Sequence, residues 1–137
     1  MIYALDTNII SYLLRRAQNP DVVYRFETEV RVKKNYYVIP PVALYEVAWY
    51  LLRKNAGAQT LFFRELYDGA LMRAGMSEDA FWLAARIRVD LAQHGQLIDA
   101  NDVLIAAFCI VNDFVLVTNN LKHFERIDVL QCVNWKA

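Results

Sequence analysis

Four polar residues stand where their surroundings make their chemical type informative: Asp6, Glu46, Asp102 and Asn120. Glu46 is the only charge in residues 42–52, and its helical neighbours are Val42, Ala43, Trp49 and Tyr50. Such a segment reads as a helix buried almost all round. A lone carboxylate there needs a cation or hydrogen-bond donors, since burying it bare costs several kcal/mol. A thin exposed stripe or an arginine partner is the structural alternative. Asp6 directly follows the apolar run at 2–5, which places it at a strand's C-terminal end and a helix's start. Open α/β sheets bind ligands there. An N-cap role is equally open, with Asn8 available to cap if Asp6 does chemistry. Asp99 and Asp102 form a D-x-x-D pair before an apolar run, a variant of the capping box. Nine apolar residues follow Asp102, so its carboxylate is expected to border a cleft while Asp99 caps. Asn120, just past the β-prone run at 114–118, either hydrogen-bonds in the site or makes a plain turn.

If Asp6, Glu46 and Asp102 converge, each pair of charges about 4 Å apart repels by ~4 kcal/mol at an effective dielectric near 20. The cluster then requires a cation. Oxygen ligands select hard Mg2+ or Mn2+, whereas His94, His123, Cys109 and Cys132 lack the close spacing of a zinc site. A water-rich acidic Mg2+ site suits phosphoryl chemistry, with phosphodiester hydrolysis the natural reaction. Other polar features read as structural. The run Arg31-Val32-Lys33-Lys34, ahead of Tyr36 and Tyr37, has the composition of a phosphate-contacting patch but fits a solvated helix end better. His94 beside Gly95 and His123 before Phe124 read as a helix-end residue and a turn residue. Tyr45, Trp49, Tyr50, Phe62, Phe63 and Trp82 read as core or subunit interface. There is no glycine-rich phosphate loop and no G-x-S-x-G.

The elements that must position these residues alternate between strand and helix. Strands are expected at 2–5, 36–39 and 114–118, with a last one at 131–133. Between them, Ile9, Ile10, Leu13 and Leu14 share a helical face, and Val22, Val23, Phe26 and Val30 continue a second helix from Pro20 to the break at Lys33. A third runs from Pro41 to Lys54, and a fourth from Gly57 to about Arg73. Ser77 begins a fifth that Gly95 ends, and Asp102 opens a buried one reaching Val111. This alternation implies an α/β fold, a mostly parallel sheet covered on both faces.

Composition narrows the function classes. At 137 residues the chain fits a single domain, 1–137. A hydrophobic share of 57% excludes disorder, and only 4 Gly and 3 Pro argue against a turn-dense all-β architecture. The longest wholly apolar run has nine residues, far short of the ~18 that a membrane span needs. No basic leader precedes Asp6, so a cytoplasmic location is expected, and the two cysteines are expected to be core thiols. Fifteen basic and fifteen acidic residues cancel, so the net charge carries no nucleic-acid footprint.

Four short motifs occur in order: L-D-T-N at Leu5 to Asn8, a Glu on the helix after a proline-ended strand at Glu46, D-x-x-I-A-A at Asp102 to Ala107, and V-T-N-N-x-x-x-F at Val117 to Phe124. Together with H-G-x-x-I before Asp102 and a closing Asn134-Trp135, they resemble the PIN-domain ribonucleases, above all the VapC toxins of VapBC toxin–antitoxin pairs. The resemblance runs nearly end to end. It implies a three-layer α/β/α sandwich with four to five strands. It makes Asp6, Glu46 and Asp102 the acids that hold Mg2+ or Mn2+, and Asn120 a fourth position often acidic in the wider fold. It further implies cleavage of single-stranded or loop RNA, commonly transfer RNA, and a homodimer whose groove gathers scattered Arg and Lys. An antitoxin whose tail enters the acidic groove is the implied inhibitor. Two rivals remain at this stage. An Asp-nucleophile phosphatase also begins with a strand-end Asp but normally has a second Asp where this chain has Asn8. A non-catalytic regulatory module would keep the Mg2+ pocket without hydrolysis.

Overall fold

A computed structural model describes residues 1–71 and 75–137. Strands β1 (Ile2–Leu5), β2 (Tyr36–Val38), β3 (Val115–Val117) and β4 (Cys132–Val133) form one parallel sheet in the order β2-β1-β3-β4. The helices are α1 (Thr7–Leu14), α2 (Pro20–Phe26), α3 (Pro41–Lys54), α4 (Gly57–Asp68), α5 (Glu78–Gln93), α6 (Ala100–Asn112) and α7 (Leu121–Phe124). A π-helical stretch, Glu27–Val32, carries α2 on to the expected break.

Strand residues alternate between two cores, which is why each strand reads as an unbroken apolar run. Tyr3, Leu5, Tyr37, Val115 and Val117 face one way, against Ile9, Ile10 and Leu13 of α1, Phe26 of α2, Val47 and Leu51 of α3, and Phe63 and Leu66 of α4. Ala4, Val38 and Leu116 face the other way, against Leu91 of α5, Ile105 and Phe108 of α6, and Phe124 of α7. The result is the expected three-layer α/β/α sandwich, with four strands among the described residues. The chain order reverses on either side of β1: β2 is laid on one edge of it and β3 on the other. A crevice therefore opens at the C-terminal ends of β1 and β3.

Four expectations need correction. Helix α4 stops at Asp68, and Arg73 lies outside the described residues. Helix α6 starts at Ala100, because Asp99 caps it. Helix α7 occupies what reads as a turn; four residues are too few to show a helical period. The largest departure is α3, which is not buried all round. Only Ala43, Val47 and Leu51 are fully buried, while Tyr45 (67% exposed), Trp49 (56%) and Leu52 (82%) face outward. Trp82 is likewise exposed, so of the aromatic set only Phe63 is fully core.

Two local contacts pin the edges. The Tyr37 hydroxyl donates to the Leu66 carbonyl, and a Cβ placed on Gly69 would lie 2.6 Å from that hydroxyl. At the chain's end, Lys136 pairs with Asp21 at 3.1 Å, and the Ala137 N–H donates to the same carboxylate at 2.7 Å. Cys109 is buried, Cys132 partly so, and both are free thiols. Among the described residues no helix is long and apolar enough to cross a membrane.

Candidate active site

Asp6 leaves β1 at its C-terminal end, where its N–H donates to the Val117 carbonyl of β3 at 2.9 Å. Asp6 is only 4% exposed, and its carboxylate makes the cap bond that the sequence left open. Oδ1 caps α1 by accepting from the Thr7 N–H at 2.8 Å, and Oδ2 accepts from the Thr118 hydroxyl at 2.7 Å. Asn8 does not cap. Its amide nitrogen lies 3.4 Å from Asp6 Oδ2, and its Oδ1 accepts from the Asn119 N–H.

Glu46, half-buried on the second turn of α3, is held by two neutral donors. Thr7 Oγ1 donates to Oε1 at 2.6 Å, and Asn101 Nδ2 donates to Oε2 at 3.3 Å. Thr7 thus bridges the first two acids through its backbone and its hydroxyl. Asp102 sits in the first turn of α6 with Oδ2 3.5 Å from His123 Nδ1. Asp99 caps the helix as expected, accepting from the Asn101 N–H at 2.8 Å. Asn120 lies at the margin: its N–H donates to Thr118 Oγ1 at 3.0 Å, and its side-chain nitrogen lies 2.7 Å from His123 Nδ1. That ring nitrogen can accept from the amide or donate to Asp102, according to tautomer.

Hydrogen bonds draw the three acids toward one end of the sheet, since Thr7 bonds both Asp6 and Glu46, and Asn101, next to Asp102 in the chain, bonds Glu46. Burial pushes the Asp6 carboxyl up to about 6; the Thr118 and Thr7 hydrogen bonds oppose this, and the charges of Asp102 and Glu46 add to it. Burial also raises Asp102, His123 opposes, and Asp99 and Glu46 add. Acids far apart in the chain therefore register on one another in the fold. Among the described residues, no three His, Cys, Asp or Glu side chains close round a point tightly enough to hold a metal by themselves. The arrangement is an open acidic notch rather than a cage.

The structure adds three residues to which sequence reasoning gave no role, Thr7, Asn101 and Thr118, and it corrects His123, which is not a turn residue but lies on α7 beside Asp102. Thr7 and Thr118 fall inside the D-T-N and T-N-N strings at two strand ends, and that position was the available signal. His123 follows Asn120 by three residues, one helical turn, but only the existence of α7 makes that spacing meaningful.

The PIN domain family profile matches residues 3–130. The chain belongs to the PIN-domain family. It is 33% identical over 135 residues to Ribonuclease VapC2 of Rickettsia felis, covering 98% of each protein. With Ribonuclease VapC2 of Haemophilus influenzae it shares 26% over 133 residues, 97% of each. Among solved PIN-domain structures, that of VapBC2 from Rickettsia felis bound to a DNA fragment from their promoter superposes with a TM-score of 0.83 at 32% identity. The overlap covers 99% of this chain and 100% of that one. VapBC-1 from nontypeable Haemophilus influenzae superposes at 0.81 with 26% identity, over 98% of both chains.

Proposed function

We propose that the protein is a divalent-metal-dependent endoribonuclease, the toxin of a VapBC-type toxin–antitoxin pair, hydrolysing phosphodiester bonds in single-stranded or loop RNA such as that of transfer RNA. The observation that carries this is the hydrogen-bond bridge at the β1–β3 end of the sheet: Thr7 bonds both Asp6 and Glu46, and Asn101, next to Asp102, bonds Glu46. The relatives named ribonucleases along the whole chain support it, as do the VapBC complexes among the structural neighbours, which argue for a cognate antitoxin partner. A homodimer accompanies this reading: with no net charge on the chain, a groove between two copies is where scattered Arg and Lys would gather to attract RNA.

The donor set suits Mg2+ or Mn2+. Its oxygens are hard ligands, and an open notch fits an ion that keeps some of its positions for water and phosphate. Asp6, Glu46 and Asp102 would hold it. When bound, the ion would orient the phosphate, offset its developing charge and lower the pKa of an attacking water. The chain's own part is rigid placement. Thr118 and Thr7 fix the plane of Asp6, Thr7 and Asn101 fix Glu46, and His123 steadies Asp102 while Asn120 braces His123 and Thr118. Each carboxylate keeps lone pairs free beyond these bonds. The phosphatase alternative is disfavoured at Asn8, whose amide is turned onto Asp6 and Asn119 instead of offering an acid.

The direct test is RNA cleavage with Mg2+ by Asp6→Ala and Asp102→Ala. Each should lose roughly a hundredfold or more of the rate while keeping a native circular dichroism spectrum. Full activity in either variant overturns the proposal. Sequencing RNA ends after induced expression then identifies the target.

A further inference from the structure

The outward stripe of α3 remains unexplained by packing. Tyr45, Trp49 and Arg53 follow one another at four-residue spacing, so they line one face of the helix. Tryptophan is well buried on average, yet Trp49 as a residue is more than half exposed. It is also ordered by a cation, since the Arg53 guanidinium carbon lies 4.2 Å from the ring centroid. In front of this stripe is a hollow of about 350 Å³, within the size range of small-ligand clefts. Thr7, Glu46 and Asn101, which belong to the bracing network of the acidic notch, line it as well. The hollow and the notch are therefore one continuous surface, acidic at one end and aromatic with a fixed positive charge at the other.

From this continuity we infer that Trp49, backed by Arg53, is a stacking platform for the base next to the scissile phosphate. The inference rests on the ribonuclease reading above and adds a specificity residue to it. A flat ring on a residue more than half exposed offers what a nucleobase needs, and stacking of this kind tolerates any base because every base has a π-face. The guanidinium beside the ring supplies the charge that an adjoining phosphate requires, in a region where Glu46 would otherwise repel it. A paired base has both faces covered by its neighbours in the duplex, so the platform selects unpaired nucleotides. Selection for loops then comes from one side chain on α3 as well as from the shape of the notch.

The test uses the full chain and short oligoribonucleotides, one single-stranded and one annealed to its complement. In steady-state cleavage with Mg2+, Trp49→Ala should raise KM roughly tenfold while kcat stays within about twofold. Trp49→Phe, which keeps a planar ring, should recover most of the loss. An independent readout uses Asp102→Ala protein, which does not consume the RNA. Its tryptophan fluorescence should be quenched by the single strand and not by the duplex, and Trp49→Phe in that background should abolish the quench. An unchanged KM in Trp49→Ala, or equal quenching by duplex and single strand, overturns the platform. So does a smaller sedimenting mass for Trp49→Ala than for the parent, which would assign the stripe to contact between copies. Absence of any RNA cleavage by the unmutated protein with Mg2+ or Mn2+ is a different failure, because it removes the ribonuclease reading itself.

Discussion

Asp6 holds its proton more tightly in the folded chain than in the unfolded one, because burial raises its carboxyl from 3.8 to about 6. A group shifted in this direction contributes stability that is complete below about pH 4 and is lost as the pH rises through about 6. At neutral pH without metal the ionised side chain is therefore a strain on the fold. Asp6→Asn should stabilise the metal-free protein at pH 7 by on the order of 2 kcal/mol, with the gain shrinking toward pH 4. Melting curves in EDTA across that interval check both the sign and the trend. Asp6, Glu46 and Asp102 were legible in the sequence because each is a charge set against apolar neighbours. Their braces were not. Hydroxyls and amides occur throughout any chain, and Thr7, Asn101 and Thr118 acquire their roles across separations of 39, 55 and 112 residues, which only the tertiary register supplies.

At the level of elements, the two acids that begin α6 divide their work, and each can be removed separately. Asp99→Ala deletes a cap bond at an exposed helix start and should cost ~0.5–2 kcal/mol in urea unfolding while leaving RNA cleavage in place. The opposite result, unchanged stability with lost cleavage, would exchange the roles assigned to Asp99 and Asp102. Where α4 ends, Gly69→Ala drives a methyl into the Tyr37 hydroxyl and should cost ~1–3 kcal/mol. Combining it with Tyr37→Phe should cost less than the sum of the single changes, because the second substitution makes room for the first. The strands and most helices could be read from periodicity, since parallel strands buried on both faces are unbroken apolar runs. The outward side of α3 could not. Apolar residue types do not say which stripe meets the sheet, and it is the packing of α3 against α1, α4 and α6 that leaves Tyr45, Trp49 and Leu52 facing solvent.

For the whole molecule, a cation held in the notch would couple fold to ligand. A cation that binds only the native state adds stability by mass action, about 2.7 kcal/mol at a hundredfold excess over its Kd. Mg2+ or Mn2+ should accordingly raise the melting temperature of the parent protein and leave that of Asp102→Ala nearly unmoved; equal shifts in both would place the ion elsewhere. The sheet order has a consequence for synthesis as well. Strand β1 is the first to be made and lies at the centre of the sheet, but one of its two neighbours, β3, arrives only after more than a hundred further residues. Until then Asp6 has no Thr118 to orient it, and Asp102 has no His123. A polypeptide still emerging from the ribosome thus carries all three acids and no assembled notch. The braces of the first acid and the third are delivered by the segment that follows β3, and a polypeptide stopped before Thr118 would hold all three carboxylates without them.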